Sequence, residues 1–317
     1  MFLTLAALCC AAAVPASAQA PRAYIPNERA DSVSVIDTAT DAVVDTLPVE
    51  AKRPRGLAVT PDRRFLYTAN ADANNVSVID LGAKKVVTKI PIGVSPEALI
   101  LSPDGKRLYV TNETGHTAQL SVVDTSTNKV ISSVQVGKET EGLAFSRDGK
   151  RLYTTNEAED SIAVIDVGQN KITSRISLEG IGNRPRGIVL SPDEKRIYVS
   201  LETSNHLAVL DAANGKLIKR LDMGNKPFGL ALTRDGRKLY VANGRSDQVR
   251  VVDTAALQVT AQIPVGKRPW GVALTPDGKK LYVANGESNS VSVIDTASDQ
   301  VVKTIPVGER PWGVVIR

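Results

Sequence analysis

Apolar residues fall along this chain in short runs, alternating or continuous, and each run is closed by turn residues. The runs come in a fixed order that repeats. All seven tyrosines occupy one position of the repeat, at Tyr24, Tyr67, Tyr109, Tyr153, Tyr198, Tyr240 and Tyr282. Six of them head a Tyr-x-x-Asn tetrapeptide ending at Asn27, Asn70, Asn112, Asn156, Asn243 and Asn285, and the fifth copy carries Leu201 instead. Next comes a Val-x-Val-Ile-Asp-like run ending at Asp37, Asp80, Asp124, Asp166, Asp211, Asp253 or Asp295. A third apolar run follows, as in Val301–Gly308, and then Arg-Pro-x-Gly with a fourth, as in Arg268–Leu274. Pro-Asp-Gly, as at Pro103–Gly105 and Pro276–Gly278, predicts a tight hairpin between strands, because Gly accepts positive φ and Asp caps the turn backbone. Four short strands in a period of about 42 residues are the signature of a propeller blade.

The two ends settle how the blades are arranged. The repeat begins at a Tyr-x-x-Asn strand without the apolar strand that should precede it, and that missing strand is Pro311–Arg317. The fold predicted is all-β: a seven-bladed β-propeller of four-stranded antiparallel blades, its ring closed by the C-terminal strand completing the N-terminal blade. Closure of this kind leaves blade 1 without a free inner edge.

Tyr109-Val110-Thr111-Asn112 is the literal tetrapeptide of the YVTN β-propeller repeat family, and the chain resembles its YncE-like exported members over essentially all of residues 19–317. The Arg-Pro-Arg-Gly and Arg-Pro-Trp-Gly elements also resemble those of exported propellers that accompany quinone-dependent (PQQ) alcohol catabolism. The resemblance is specific for fold and not for function, because propellers of this kind include binding proteins, surface proteins and accessory factors.

Composition adds a location and removes some chemistry. Met1–Pro15 is an uncharged apolar run followed by Ala16-Ser17-Ala18, which reads as a signal peptide over residues 1–18, cut after Ala18, although no Lys or Arg precedes it. The expected product is a periplasmic or secreted single domain, residues 19–317, acting as a monomer without a membrane span. Cys9 and Cys10 are the only cysteines and lie inside that segment, so the expected mature chain has neither disulfide nor thiolate chemistry. Aromatics are only 4% of the chain, so the core must rest on Val, Ile, Leu and Ala. A formal charge of +5 permits an acidic partner but is far from that of a dedicated nucleic-acid binder.

Residues shared by every blade are read as structural: Tyr packing between blades, Asp capping the turn after its strand, Asn as a turn residue. The repeat then serves as a ruler for the position where blades disagree. Before the repeated Gly, at the expected mouth of the central channel, the ring reads Trp312, Arg55, Glu97, Glu141, Arg186, Phe228 and Trp270. This predicts an aromatic arc facing a charged one. Two positions earlier stand Arg53, Arg184, Lys226, Arg268 and Arg310, a basic collar. Together they suit a small anionic, planar ligand, through stacking and charge, or a protein partner. Glu28, Glu113, Glu157 and Glu202 follow the Tyr-x-x-Asn strand on the same face and are expected to compete for the collar.

His116 and His206 belong to different blades and are both expected in loops, which argues against multi-His copper or haem ligation. Neither a Gly-x-Ser-x-Gly elbow nor a P-loop is present. The preferred reading is a non-catalytic ligand-binding or protein-interaction scaffold, with no cofactor and no metal, accessory to a quinone-dependent or transport pathway. Two alternatives stand beside it. One is a single-stranded nucleic-acid binder, the other a divalent-cation-dependent, lactonase-like hydrolase using Glu97 and Glu141.

Overall fold

The computed structural model describes residues 20–113 and 118–317. The proposed signal peptide and His116 lie outside the described residues. The remainder folds into seven four-stranded antiparallel sheets. Blade 1 holds Arg22–Asn27, Ser32–Asp37 and Ala42–Pro48, completed on its inner side by Val315–Ile316. Blades 2 to 7 span residues 54–91, 96–135, 140–177, 185–222, 227–264 and 269–306. In the closing blade Ala23 pairs with Ile316 and Tyr24 with Val315, as the split repeat requires.

Burial grades along each blade. The Tyr-x-x-Asn strand is almost wholly buried, as at Leu66–Asn70, whereas the outermost strand, as at Ala42–Pro48, shows most of its side chains to solvent. The buried β-branched and leucine side chains meet across blade boundaries, forming seven apolar clusters, one for each neighbouring pair. Each blade is therefore a layer whose two faces are covered by its neighbours.

The shared residues have structural tasks. Tyr67, Tyr109 and Tyr240 are buried, and their hydroxyls reach Asn128, Asn170 and Asp299 of the following blade at 3.0, 3.3 and 2.9 Å. Tyr282 makes the same bond to Asp41 of blade 1 and so helps to close the ring. Asp37 caps the turn after its strand, accepting from the backbone N–H groups of Ala39 and Thr40 at 2.8 and 3.1 Å, and Asp295 does the same with Ala297 and Ser298. Gly105 and Gly278 sit in their hairpins at φ of 70° and 71°.

Asn differs from its expected role as a turn residue. It ends the strand fully buried, and its Nδ2 donates to a serine on the next strand: Asn27 to Ser34, Asn70 to Ser77 and Asn285 to Ser292, each at 2.9 Å. Leu201 replaces this bond with apolar contact, in a cluster against which Ile181 of the longer loop entering blade 5 packs. His206 also departs from its expected loop and opens the third strand of blade 5.

Candidate functional site

The face opposite the Pro-Asp-Gly hairpins carries the loops that enter each inner strand. There the strand register slips. In blade 2, Pro54 pairs with Asn70 but Leu57 pairs with Thr68, so Arg55 and Gly56 leave the ladder as a bulge. The slip recurs before Leu99, Leu143, Ile188, Leu230 and Val272. A bulge re-aims the side chain it carries, and here it directs the variable residue over the channel. The Gly behind it is dictated by the neighbouring blade. A Cβ at Gly56 would lie 2.6 Å from the Glu97 carbonyl oxygen, and one at Gly187 would lie 2.5 Å from that of Phe228.

The collar positions are also built by the backbone. Arg53, Arg184, Lys226, Arg268 and Arg310 all adopt left-handed φ between 54° and 60°, unusual for residues with a Cβ. Each is held there by an Asp or Asn of the preceding blade. Arg53 N–H donates to Asp31 at 3.0 Å, Arg184 N–H to Asp160 at 2.7 Å, and Arg268 N–H to Asp247 at 2.9 Å. Lys226 and Arg310 use Asn205 and Asn289 in the same way. These Asx residues, themselves left-handed, clasp one blade to the next.

The seven predicted mouth residues interact in order around the ring, except that Glu97 and Glu141 meet only through the repulsion of like charges. Phe228, Trp270 and Trp312 do not stand apart as an arc around an opening. Their ring centroids lie 5.9–6.3 Å from one another, so the three rings close together over the channel. Arg55 lies 5.9 Å from the Trp312 ring and pairs with Glu97. On the other side Arg186 lies 5.1 Å from the Phe228 ring and pairs with Glu141 at 2.7 Å and with Glu157. Arg268 and Arg310 both approach Trp270, at 4.4 and 5.6 Å. The result is a lid, aromatic on one side and ionic on the other.

Of the four glutamates expected to compete for the collar, Glu28, Glu157 and Glu202 pair with it and, among the described residues, Glu113 does not. Glu28 pairs with Arg53, Arg55 and Arg310 at 3.0, 3.0 and 2.9 Å. Glu202 binds Arg184, Arg186 and Lys226 at 3.0, 2.8 and 3.4 Å, while Glu287 meets Arg268 at 3.1 Å. Glu28 and Glu157 have side chains only 6% and 1% exposed, so each of these carboxylates, taken out of water, depends on its partners.

Burial splits the acids into two kinds. Glu97 is fully buried, and its carboxyl is pushed well above the usual range by that burial and by the charge of Glu141, with Arg55 pulling it back. Glu157 is raised in the same way by burial and Glu141, against Arg186. Glu28 and Glu202 are also opposed by burial, but the guanidinium groups around them win and hold both below the ordinary value. Glu97 Oε1 and Glu141 Oε1 are buried with no hydrogen-bond partner among the described residues. Among those residues no cluster of three His, Cys, Asp or Glu has the arrangement of a metal centre.

All twelve predicted positions therefore gather on one face: seven in the lid and five in the collar around it. Sequence reasoning missed the Asx clasp, although Asp31, Asn74, Asp160, Asn205, Asp247 and Asn289 recur at one repeat position and could have signalled it. It also placed the three aromatic rings correctly in ring order without showing that they touch.

Fold and site define a closed seven-bladed propeller with its channel mouth plugged by side chains. The YNCE-like beta-propeller family model matches residues 50–145 and 233–316, more than half of the chain, and the chain belongs to that family. A second family model, the seven-bladed beta-propeller lactonase, matches residues 102–222. No curated protein matches the chain. Among solved structures, Kuenenia stuttgartiensis hydrazine synthase is similar at 27% identity with a TM-score of 0.78, over 87% of this chain and 92% of that one. A functionally unknown protein from Desulfotomaculum acetoxidans DSM 771 superposes with a TM-score of 0.80 at 17% identity, over 93% of this chain and 98% of that one.

Proposed function

We propose that this protein is an exported, non-catalytic scaffold that docks a protein partner on its lid face. The observation that carries the reading is the lid itself. A compact Phe–Trp–Trp cluster, with Phe228 and Trp312 half-buried, is ringed by arginines that are already paired. Large aromatic anchors inside a polar rim are the usual make-up of a protein-binding hot spot. The pairing of every collar cation with a carboxylate speaks against a free anion or single-stranded nucleic acid as the principal ligand, since each would have to displace internal ion pairs. Export rests on the apolar N-terminal run, and a partner in a quinone-dependent or transport pathway rests on the Arg-Pro-Trp-Gly resemblance.

The test is affinity purification of cross-linked protein from periplasmic extract, comparing wild type with a Phe228→Ala, Trp312→Ala double variant of similar thermal midpoint. Loss of a stoichiometric partner from the variant is expected. Recovery of the same partners at equal yield would move the docking surface elsewhere. The lactonase-model match supports a second reading, cation-dependent hydrolysis using Glu97 and Glu141. Elemental analysis with lactone hydrolysis before and after chelation decides it, and unchanged inactivity without bound divalent metal removes it.

A further inference from the structure

The ring is not uniform beneath the lid. In the other six blades the bulge takes two residues out of the ladder, as at Arg55 and Gly56. In the closing blade the one-residue offset is the same, but the Val314–Ile25 pair that should follow it is not formed. Pro311 still bridges to Asn27 and Trp312 N–H donates to the Pro26 carbonyl at 3.0 Å, but pairing resumes only at Val315. Gly313 consequently stands off from blade 2. A Cβ built there meets no atom within 4 Å, whereas one at Gly271, a blade earlier, would meet Gly313 Cα at 2.5 Å.

Against this seam, in the central channel, lies an open pocket of about 190 Å³ that Ala98 and Leu99 of blade 3, Leu230 of blade 6 and Val272 of blade 7 also line. Its roof is Trp312 and Arg55, and its walls include Leu57 and Val314. It also continues toward the hairpin face, because Leu57, Leu99 and Val315 line both this pocket and a wider opening of about 510 Å³ beside Pro61 and Pro103. The pocket is open rather than sealed, and a small apolar molecule seated there removes its own surface and the apolar walls from water.

We propose that the seam pocket under Trp312 is a binding site for a neutral, single-ring aromatic molecule of benzene size, entering the channel from the hairpin face. The site is independent of partner docking, which uses the outer side of the lid. Burial of about six carbon groups supports a dissociation constant of about 1 mM. Arg55 over the roof ring leaves the head of the pocket polar, so a ring bearing one hydroxyl is accommodated with that group upward.

The chain holds two tryptophans, Trp270 and Trp312, and both lie in the lid, so its intrinsic emission reports on this place alone. Titration of the full chain with benzyl alcohol should give a saturable change in emission and a raised thermal midpoint. Gly313→Leu, which fills the pocket from its own wall, should weaken the response at least about tenfold while far-UV circular dichroism stays that of the wild type. Should the variant not fold, xenon NMR on the wild type reads the same pocket, and saturable uptake displaced by benzyl alcohol is expected. A linear, non-saturating emission change, an equal response from folded Gly313→Leu, or the absence of saturable xenon uptake would each overturn the proposal.

Discussion

The two halves of the lid solve one packing problem in different ways. On the ionic side Arg55 and Arg186 are each gripped by two or more carboxylates, and Glu97, Glu141 and Glu157 lie buried beneath them. On the aromatic side three rings are in contact, Trp312 edge to face with both Phe228 and Trp270 and those two tilted against each other, with no hydrogen bond needed among them. The ionic half is internally committed, since each charge removed from water must find its counterpart inside. The aromatic half holds itself by contact area and leaves ring surface at Phe228 and Trp312 for another molecule. Polar residues at a channel mouth are thus a poor guide to ligand capacity until their partners are known.

The contrast can be broken most sharply at Arg186. Arg186→Met leaves Glu141 without a cation and takes one partner each from Glu157 and Glu202, which keep Arg184, and should cost about 3–4 kcal/mol, a fall of roughly 8 °C in the thermal midpoint by calorimetry. Trp270→Ala, on the aromatic side, removes ring contacts to Phe228 and Trp312 and two guanidinium contacts but strands no charge. A smaller loss of about 2–3 kcal/mol is expected in chemical denaturation.

The pH dependence sharpens the picture within the ionic half. Glu97, facing Arg55, Glu141 and Glu113, and Glu157, facing Glu141, Arg184 and Arg186, bind protons more tightly folded than unfolded. Their stabilising effect is complete below the ordinary carboxylate pKa and fades as pH rises toward their raised values. Glu28 and Glu202 are shifted down, so their effect is complete above the ordinary value and is lost as pH falls through the lowered one. Glu157→Gln, which mimics the protonated acid, should therefore flatten the decline in thermal midpoint between pH about 6 and about 9 by about 2 °C. The smallest effect belongs to Glu287→Gln. Its pair with Arg268 is exposed, and a change under about 1 °C is expected.

The fold was legible because it is written seven times. Turn chemistry and apolar spacing agree at every copy, and the split terminal unit declared which strand closes the ring. The ring order of the lid was legible for the same reason. What sequence could not supply were facts created by neighbouring blades. Asn27 is polar enough to read as a turn residue, yet the Ser34 hydroxyl across the strand makes it a buried one. Arg53 and Arg268 look like free cations until the opposing Glu28 and Glu287 are in place. Their left-handed backbones had no glycine to announce them. The pair lost beside Gly313, Val314 with Ile25, depends on how one strand meets a blade built from the far end of the chain.

That meeting has a kinetic consequence. Val315 and Ile316 pair with Tyr24 and Ala23 across the longest sequence separation in the ring, so this contact is expected to form after the intervening blades. Until then the first Tyr-x-x-Asn strand waits with an unpaired edge, and the apolar cluster between blades 7 and 1 has only one wall. The slowest and most aggregation-exposed moment in the folding of this ring should be its last, when a strand of two residues ties shut a loop nearly as long as the molecule.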